Sequence, residues 1–210
     1  MTVYEYGRAD APVVLVQPVD DHNMAEIESE CAEIARLTET NFRLLAVKVD
    51  AWNYDLSPWR APAVFGNENF GDGASSTLEF IRARCSDSNR RYYIGGYSLA
   101  GLFALWSAFQ TDIFEGVAAA SPSVWFPGFV PYMREHAIKS PMVCLSLGDR
   151  EAKTRNRLMA TVADCITQCR DILTEQNITC TLEWNPGNHF KDPGLRTAKA
   201  FAWVMRQDEG

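Results

Sequence analysis

Three turns of this 210-residue chain carry, in order, a serine, a pair of acids and a histidine, the side chains that together perform nucleophilic catalysis. The first is Gly95-Gly96-Tyr97-Ser98-Leu99-Ala100-Gly101, which follows an apolar strand-like run and opens directly into an apolar helix-like run. A serine at so sharp a turn is held in a strained backbone conformation, and small residues two positions either side let strand and helix approach. Gly96 and Ala100 meet that need. The turn exposes the Ser98 hydroxyl, aims the first helix amides at it, and lets the Leu99 N–H donate to a developing oxyanion. A serine before a helix is also an ordinary cap. The placement between a buried strand and a helix is what points to a nucleophile.

A serine needs a base, and the chain has three histidines. His189, in Asn185-Pro186-Gly187-Asn188-His189-Phe190, comes directly after the last strand, where a loop brings it to the same sheet edge as Ser98. His22 sits at the opening of the first helix, and His136 falls in a surface helix, so His189 is the expected base. The third member is a carboxylate that fixes the imidazole tautomer and stabilises its charged form. Leu147-Gly148-Asp149-Arg150-Glu151 offers two acids after the fifth apolar strand. Glu151 is preferred because the acid loop must reach away from the strand end, and Asp149, nearer the strand, suits a helix cap. Asp149 stays as the alternative.

These turns need a scaffold that brings strand ends to one edge. Short apolar runs alternate with amphipathic ones: strands are expected at 12–17, 42–49, 91–95, 116–120, 142–147 and 178–184. Helices are expected at 24–37, 74–84, 98–109, 131–138 and 151–175, with a last one following Pro193 and ending around Val204. Strands apolar on both faces belong to a parallel sheet covered by helices on both sides. The expectation is an α/β fold: one compact domain over residues 1–210, with a mostly parallel six-stranded sheet flanked by helices. Functional loops then lie at the carboxyl ends of the strands. The long stretches 50–73 and 121–131, rich in aromatic residues, proline and glycine, both follow a strand and should lie over that edge.

A composition of 47% hydrophobic and 22% charged residues excludes intrinsic disorder. The formal net charge of −7, with no basic cluster to neutralise phosphates, argues against a nucleic-acid partner. No apolar run reaches a membrane span and the amino terminus lacks a secretory pattern, so a cytoplasmic protein is expected. Six cysteines are then reduced thiols. Cys165 and Cys169 share one helix face with Leu158, Val162, Ile166 and Leu173 and read as small core residues, so neither a metal nor another cofactor is expected.

The order nucleophile, acid, histidine after successive strands is the order of α/β-hydrolases. More narrowly, the chain resembles the esterase family that includes esterase D, enterochelin esterases and the mycolyltransferase antigens. The resemblance covers nearly the whole chain. It rests on Gly-Tyr-Ser98-Leu-Ala-Gly, Ser121-Pro122-Ser123-Val124-Trp125, Leu147-Gly148-Asp149-Arg150-Glu151, Gly187-Asn188-His189, Leu56-Ser57-Pro58-Trp59 and Phe70-Gly71-Asp72-Gly73-Ala74. Ala100 stands where a glycine is more usual. The antiparallel strands that open a full α/β-hydrolase are missing or reduced to residues 2–6, and a His-Gly-Gly oxyanion loop is absent. Residues 17–20 take its place; Pro18 has no N–H, so Val19 or Asp20 must supply the second oxyanion donor.

The resemblance implies a serine esterase acting on carboxylic esters or thioesters of small soluble molecules through an acyl-enzyme. Acyl transfer by the same three residues, and a non-catalytic binding module on the same fold, are the alternatives. Fewer than a dozen residues separate the fourth strand from the next helix, too few for a lid domain, so an open pocket and short acyl groups are expected. Its walls are expected to include Trp52, Tyr54, Trp59, Tyr97, Trp125 and Phe126. A monomer and a homo-oligomer are both compatible with the sequence.

Overall fold

In a computed structural model, which describes residues 1–207, the central strands bury both faces because their sequences alternate nothing polar outward. Strand β2 (Val13–Val19) and β6 (Met142–Gly148) are buried at every position, and β4 (Arg91–Tyr97) and β5 (Phe114–Ala120) at all but one. With β1 (Thr2–Gly7), β3 (Phe42–Lys48) and β7 (Thr179–Asn185) they form one sheet in the order β1-β3-β2-β4-β5-β6-β7. All neighbours run parallel except β1, which pairs antiparallel with β3 from Thr2 opposite Lys48 to Gly7 opposite Arg43. The sheet therefore has seven strands rather than six. Residues 2–7 carry only intermittent apolar side chains, as an edge strand with one neighbour requires.

Helices α1 (Asp21–Thr38) and α7 (Pro193–Arg206) pack on one face around Leu15, Tyr93, Ala118 and Phe201. The opposite face is covered by α3 (Ala74–Arg82), α4 (Leu99–Gln110), α5 (Phe129–Glu135) and α6 (Val162–Glu175). Helix α4 is buried from Leu99 to Phe109, which explains its apolar sequence on every side. A single turn, α2 (Trp52–Asp55), forms within the long stretch after β3.

The helix expected over 151–175 is shorter than its pattern suggested. Residues 151–158 form an irregular loop, Met159–Thr161 a single 3₁₀ turn, and only then does α6 begin. The Asn156 carboxamide causes the break, accepting hydrogen bonds from the Leu158 and Met159 amides at 3.0 and 3.1 Å. After β3 the chain crosses to the far side of β2 and begins β4. This reversal opens a crevice at the carboxyl ends of β2 and β4, the place where open α/β sheets bind ligands.

Candidate active site

Ser98 is the residue between β4 and α4, with φ 58° and ψ −119°, a conformation that L-residues rarely adopt. Its amide donates to Ala120 O at 3.1 Å, and its carbonyl accepts from Ser123 N at 3.0 Å, so the turn is fixed to the end of β5. The small flanking residues are required sterically: a Cβ on Gly96 would stand 2.7 Å from the Cβ of Ala100. The Ser98 hydroxyl makes no capping bond to α4. It lies instead 3.0 Å from His189 Nε2 and 3.3 Å from Ser123 Oγ.

His189 arrives on the loop between β7 and α7, and its Nδ1 is 2.7 Å from Glu151 Oε2. A carboxylate accepting at Nδ1 places the ring proton there and leaves Nε2 as an acceptor toward Ser98. The structure thus brings Ser98, His189 and Glu151 into one hydrogen-bonded chain. Asp149 does not join it: its Oδ1 accepts from Gly187 N at 2.7 Å, bracing the acid loop against the histidine loop. His136 is remote, with Nδ1 2.8 Å from Tyr132 O and its ring stacked on Tyr132. His22 lines the crevice from the first turn of α1.

Glu151 is buried, and its second oxygen is saturated. Oε1 accepts from Ser121 Oγ and Gly148 N, each at 2.7 Å, and from Arg196 Nη1 at 2.8 Å. Burial pushes the carboxyl up, but the hydrogen bonds and charge of His189, with those from Ser121 and Gly148, outweigh it and hold Glu151 below the ordinary carboxylate range. Gly148 has no room for a side chain, because a Cβ there would meet Gly187 O, Arg196 Nη1 and Glu151 Oε1. Arg196, only 2% exposed on α7, also donates to Tyr97 Oη and Ser121 Oγ at 3.2 Å. Its Nη2 donates to the carbonyls of Pro186 and Asn188 at 3.2 and 3.0 Å, and the Tyr97 hydroxyl donates to His189 O at 2.7 Å. Burial raises the Tyr97 phenol to about 12, so it stays a donor.

The crevice beside Ser98 has a volume of about 680 Å³. Trp52, Phe65, Trp125, Met159 and Phe190 give it apolar walls, and Asp20, His22, Asn23 and Ser123 supply polar groups. Of the expected wall residues, Trp52, Tyr97 and Trp125 face it. Trp59 does not: its indole packs on Phe126, Phe129 and Tyr132, and its Nε1 donates to Pro127 O at 2.9 Å, an anchor for the 121–131 segment. Phe126 is buried beneath that segment, and Tyr54 lies against Gly71 and Gly73. Val19 is wholly buried in the α1/α7 core and does not line the crevice, whereas the next residue, Asp20, does. Phe65, Met159 and Phe190 were not expected from the sequence; their loops reach the site only through the fold. Among the described residues no group of three His, Cys, Asp or Glu side chains could hold a metal ion. The cysteines are all free, and Cys169 is buried on the apolar face of α6, its thiol pushed up by desolvation.

No protein-family model and no curated protein matches the chain in sequence. Solved structures do match in shape. An IroE-like serine hydrolase from Shewanella oneidensis superposes with a TM-score of 0.77 at 14% identity, over 97% of this chain and 75% of that one. The siderophore hydrolase EstA from Aspergillus nidulans gives 0.70 at 21% identity, over 96% and 85%. The enterobactin esterase FES from Shigella flexneri gives 0.63 at 13% identity, over 97% of this chain and 55% of the longer enzyme. The chain has the α/β-hydrolase fold of these proteins.

Proposed function

We propose that the protein is a serine hydrolase that cleaves carboxylic esters or thioesters of small molecules through an acyl-enzyme. The observation that carries this reading is the unbroken chain from Ser98 Oγ through His189 to Glu151, at 3.0 and 2.7 Å, opening on an apolar crevice. Ser98 Oγ attacks the ester carbonyl carbon while His189 Nε2 takes the hydroxyl proton, and Glu151 stabilises the imidazolium that forms. The tetrahedral oxyanion receives the Leu99 N–H at the start of α4. A second donor is the Asp20 amide rather than that of Val19, since Asp20 lines the crevice and, among the described residues, its N–H makes only a long 3.5 Å contact to Asn23 Oδ1. Collapse breaks the bond to the alcohol, which leaves with the proton from His189; water then attacks the acyl-enzyme with His189 as base and releases the acid. Trp125, Tyr97 and Trp52 would hold the substrate's apolar part.

Labelling with a fluorophosphonate probe, followed by intact-mass and peptide analysis, tests this directly. One adduct, on Ser98, with parallel loss of p-nitrophenyl acetate hydrolysis is expected. An unlabelled protein, or a label elsewhere, would leave a fold without this chemistry.

A further inference from the structure

The two sides of the crevice belong to segments of different charge, the β2–α1 turn with Asp20 and the loop after β6 that leads to Met159 of the wall. On the β2–α1 side Asp20 lines it, and the carboxylates of Glu26, Glu33 and Asp192 line the separate α1/α7 cleft. On the other side, the irregular loop after β6 carries Arg150, Lys153, Arg155 and Arg157, all exposed, against a single exposed carboxylate, Asp149. This is a concentrated excess of positive charge in a chain whose net charge is −7. Among the described residues, Lys153, Arg155 and Arg157 have no carboxylate within ion-pair distance, and the one pair of Arg150, to Asp149, is loose at 3.9 Å.

The loop is held at the site by specific bonds. Asn156, between Arg155 and Arg157, donates from Nδ2 to Val64 O at 2.5 Å, next to Phe65 of the crevice wall, and accepts from the amides of Leu158 and of Met159, itself a wall residue. At its other end Arg150 N donates to Gly187 O at 3.0 Å. Lys191, two residues past His189, lays its side chain across Gly187, where a Cβ would meet Lys191 Cδ at 2.6 Å. Cations thus stand on the loops that carry Glu151 and His189, while no Lys or Arg lines the crevice itself.

Resting on the hydrolase reading above, we infer that this basic rim is a specificity site for esters whose reacting end is neutral and apolar and whose remote end is anionic. The neutral end enters the aromatic crevice, where Asp20 disfavours a buried anion. The anionic end stays in solvent against Arg155 and Arg157. Exposed charges act over about one Debye length, ~8 to 10 Å at moderate salt, which covers the rim of such a crevice and raises the encounter rate of an oppositely charged substrate.

The test compares kcat/KM for 1-naphthyl acetate and for the same ester bearing a sulfonate on the distal ring, with the native protein and with Arg155→Gln/Arg157→Gln. The double substitution should lower kcat/KM for the sulfonated ester about five- to tenfold at low ionic strength while changing the neutral ester less than twofold, because steering acts only on charge. High salt should erase the difference in the native protein. Equal effects on both esters, or none on either, would overturn the inference. Absence of turnover of the neutral ester by the native protein would undo the hydrolase reading instead.

Discussion

Arg196 Nη1 and Glu151 Oε1 form a buried ion pair at 2.8 Å, on the opposite side of the carboxylate from His189. The same guanidinium reaches the carbonyls of Pro186 and Asn188, so one side chain ties the acid loop to the histidine loop. A carboxylate pinned this way keeps Oε2 aimed at Nδ1, and its charge is maintained in a dry setting where an unpaired ion would be costly.

Replacing Arg196 by Ala removes these contacts and leaves Glu151 buried without its cation, at a cost of about 3 to 5 kcal/mol in stability. Arg196→Lys keeps the charge but loses the fork, and it serves as the folded test. Its kcat on p-nitrophenyl acetate should fall at least about tenfold with little change in KM, because Oε2 is no longer held on Nδ1. Asp149→Asn should leave kcat and KM nearly unchanged, since an asparagine Oδ1 can still accept from Gly187 N. A lysine variant with native kcat and KM would reduce Arg196 to a structural strut.

Ser98→Ala and His189→Ala should each lower ester hydrolysis by about 10³-fold or more, and the double variant should be hardly worse, because residues acting as one unit are not additive. The Ser98 variant should keep its thermal stability, as the hydroxyl caps nothing. Glu151→Gln should lose activity far more than Asp149→Asn. Additive losses at Ser98 and His189 would show that the two do not share a step.

The hydrogen-bonded chain of Ser98, His189 and Glu151 was legible in part: Ser98 by its small neighbours and His189 by its loop after the last strand, while Glu151 was preferred over Asp149 only by its place past Gly148, as in the family the chain resembles. What escaped is what tertiary packing decides. Arg196 falls on the buried stripe of α7 with Ala200 and Val204, and a charged residue in such a stripe is a signal of a buried partner. Its partners, Tyr97, Ser121, Glu151 and the 186–188 loop, come together from four distant segments. Trp59 illustrates the opposite error, an aromatic loop residue that is packing rather than pocket. The edge strand β1 was faint because half its surface faces solvent.

Among the described residues no helix is inserted between β5, which ends at Ala120, and α5, which begins at Phe129, where a lid would stand over the crevice. Phe190, 86% exposed beside His189, and Phe65, 48% exposed, stand at its mouth. Acetate and butyrate esters of p-nitrophenol should therefore be hydrolysed faster than the palmitate ester, without a rise in rate above the micellar concentration. Phe190→Ala should raise KM for aromatic esters several-fold and leave kcat within about twofold, as expected for an apolar contact made equally in ground and transition states. Preference for emulsified long-chain substrate would contradict an open site.

Glu30 provides a test of the α1/α7 face that is independent of catalysis. It is buried against Gln17, the one side-chain hydrogen-bond contact it makes among the described residues being the 3.4 Å approach of Gln17 Nε2 to Oε2, while Glu26 and Glu33 line the same cleft. Desolvation, with the nearby charge of Glu26, raises its carboxyl to about 8 despite the Gln17 bond. The native protein therefore holds a proton there that the unfolded chain has released by neutral pH. Stability from this group is complete below the ordinary carboxylate range and is lost as pH rises toward about 8, at roughly 1.4 kcal/mol per pH unit within that window. Glu30→Gln keeps the shape and an acceptor for Gln17 Nε2 but abolishes the titration. Its melting temperature should exceed that of the native protein by several degrees at pH 8.5 and differ little at pH 4.5, with hydrolysis unchanged. Melting curves that run parallel across this range would mean that Glu30 titrates alike in the folded and unfolded chains.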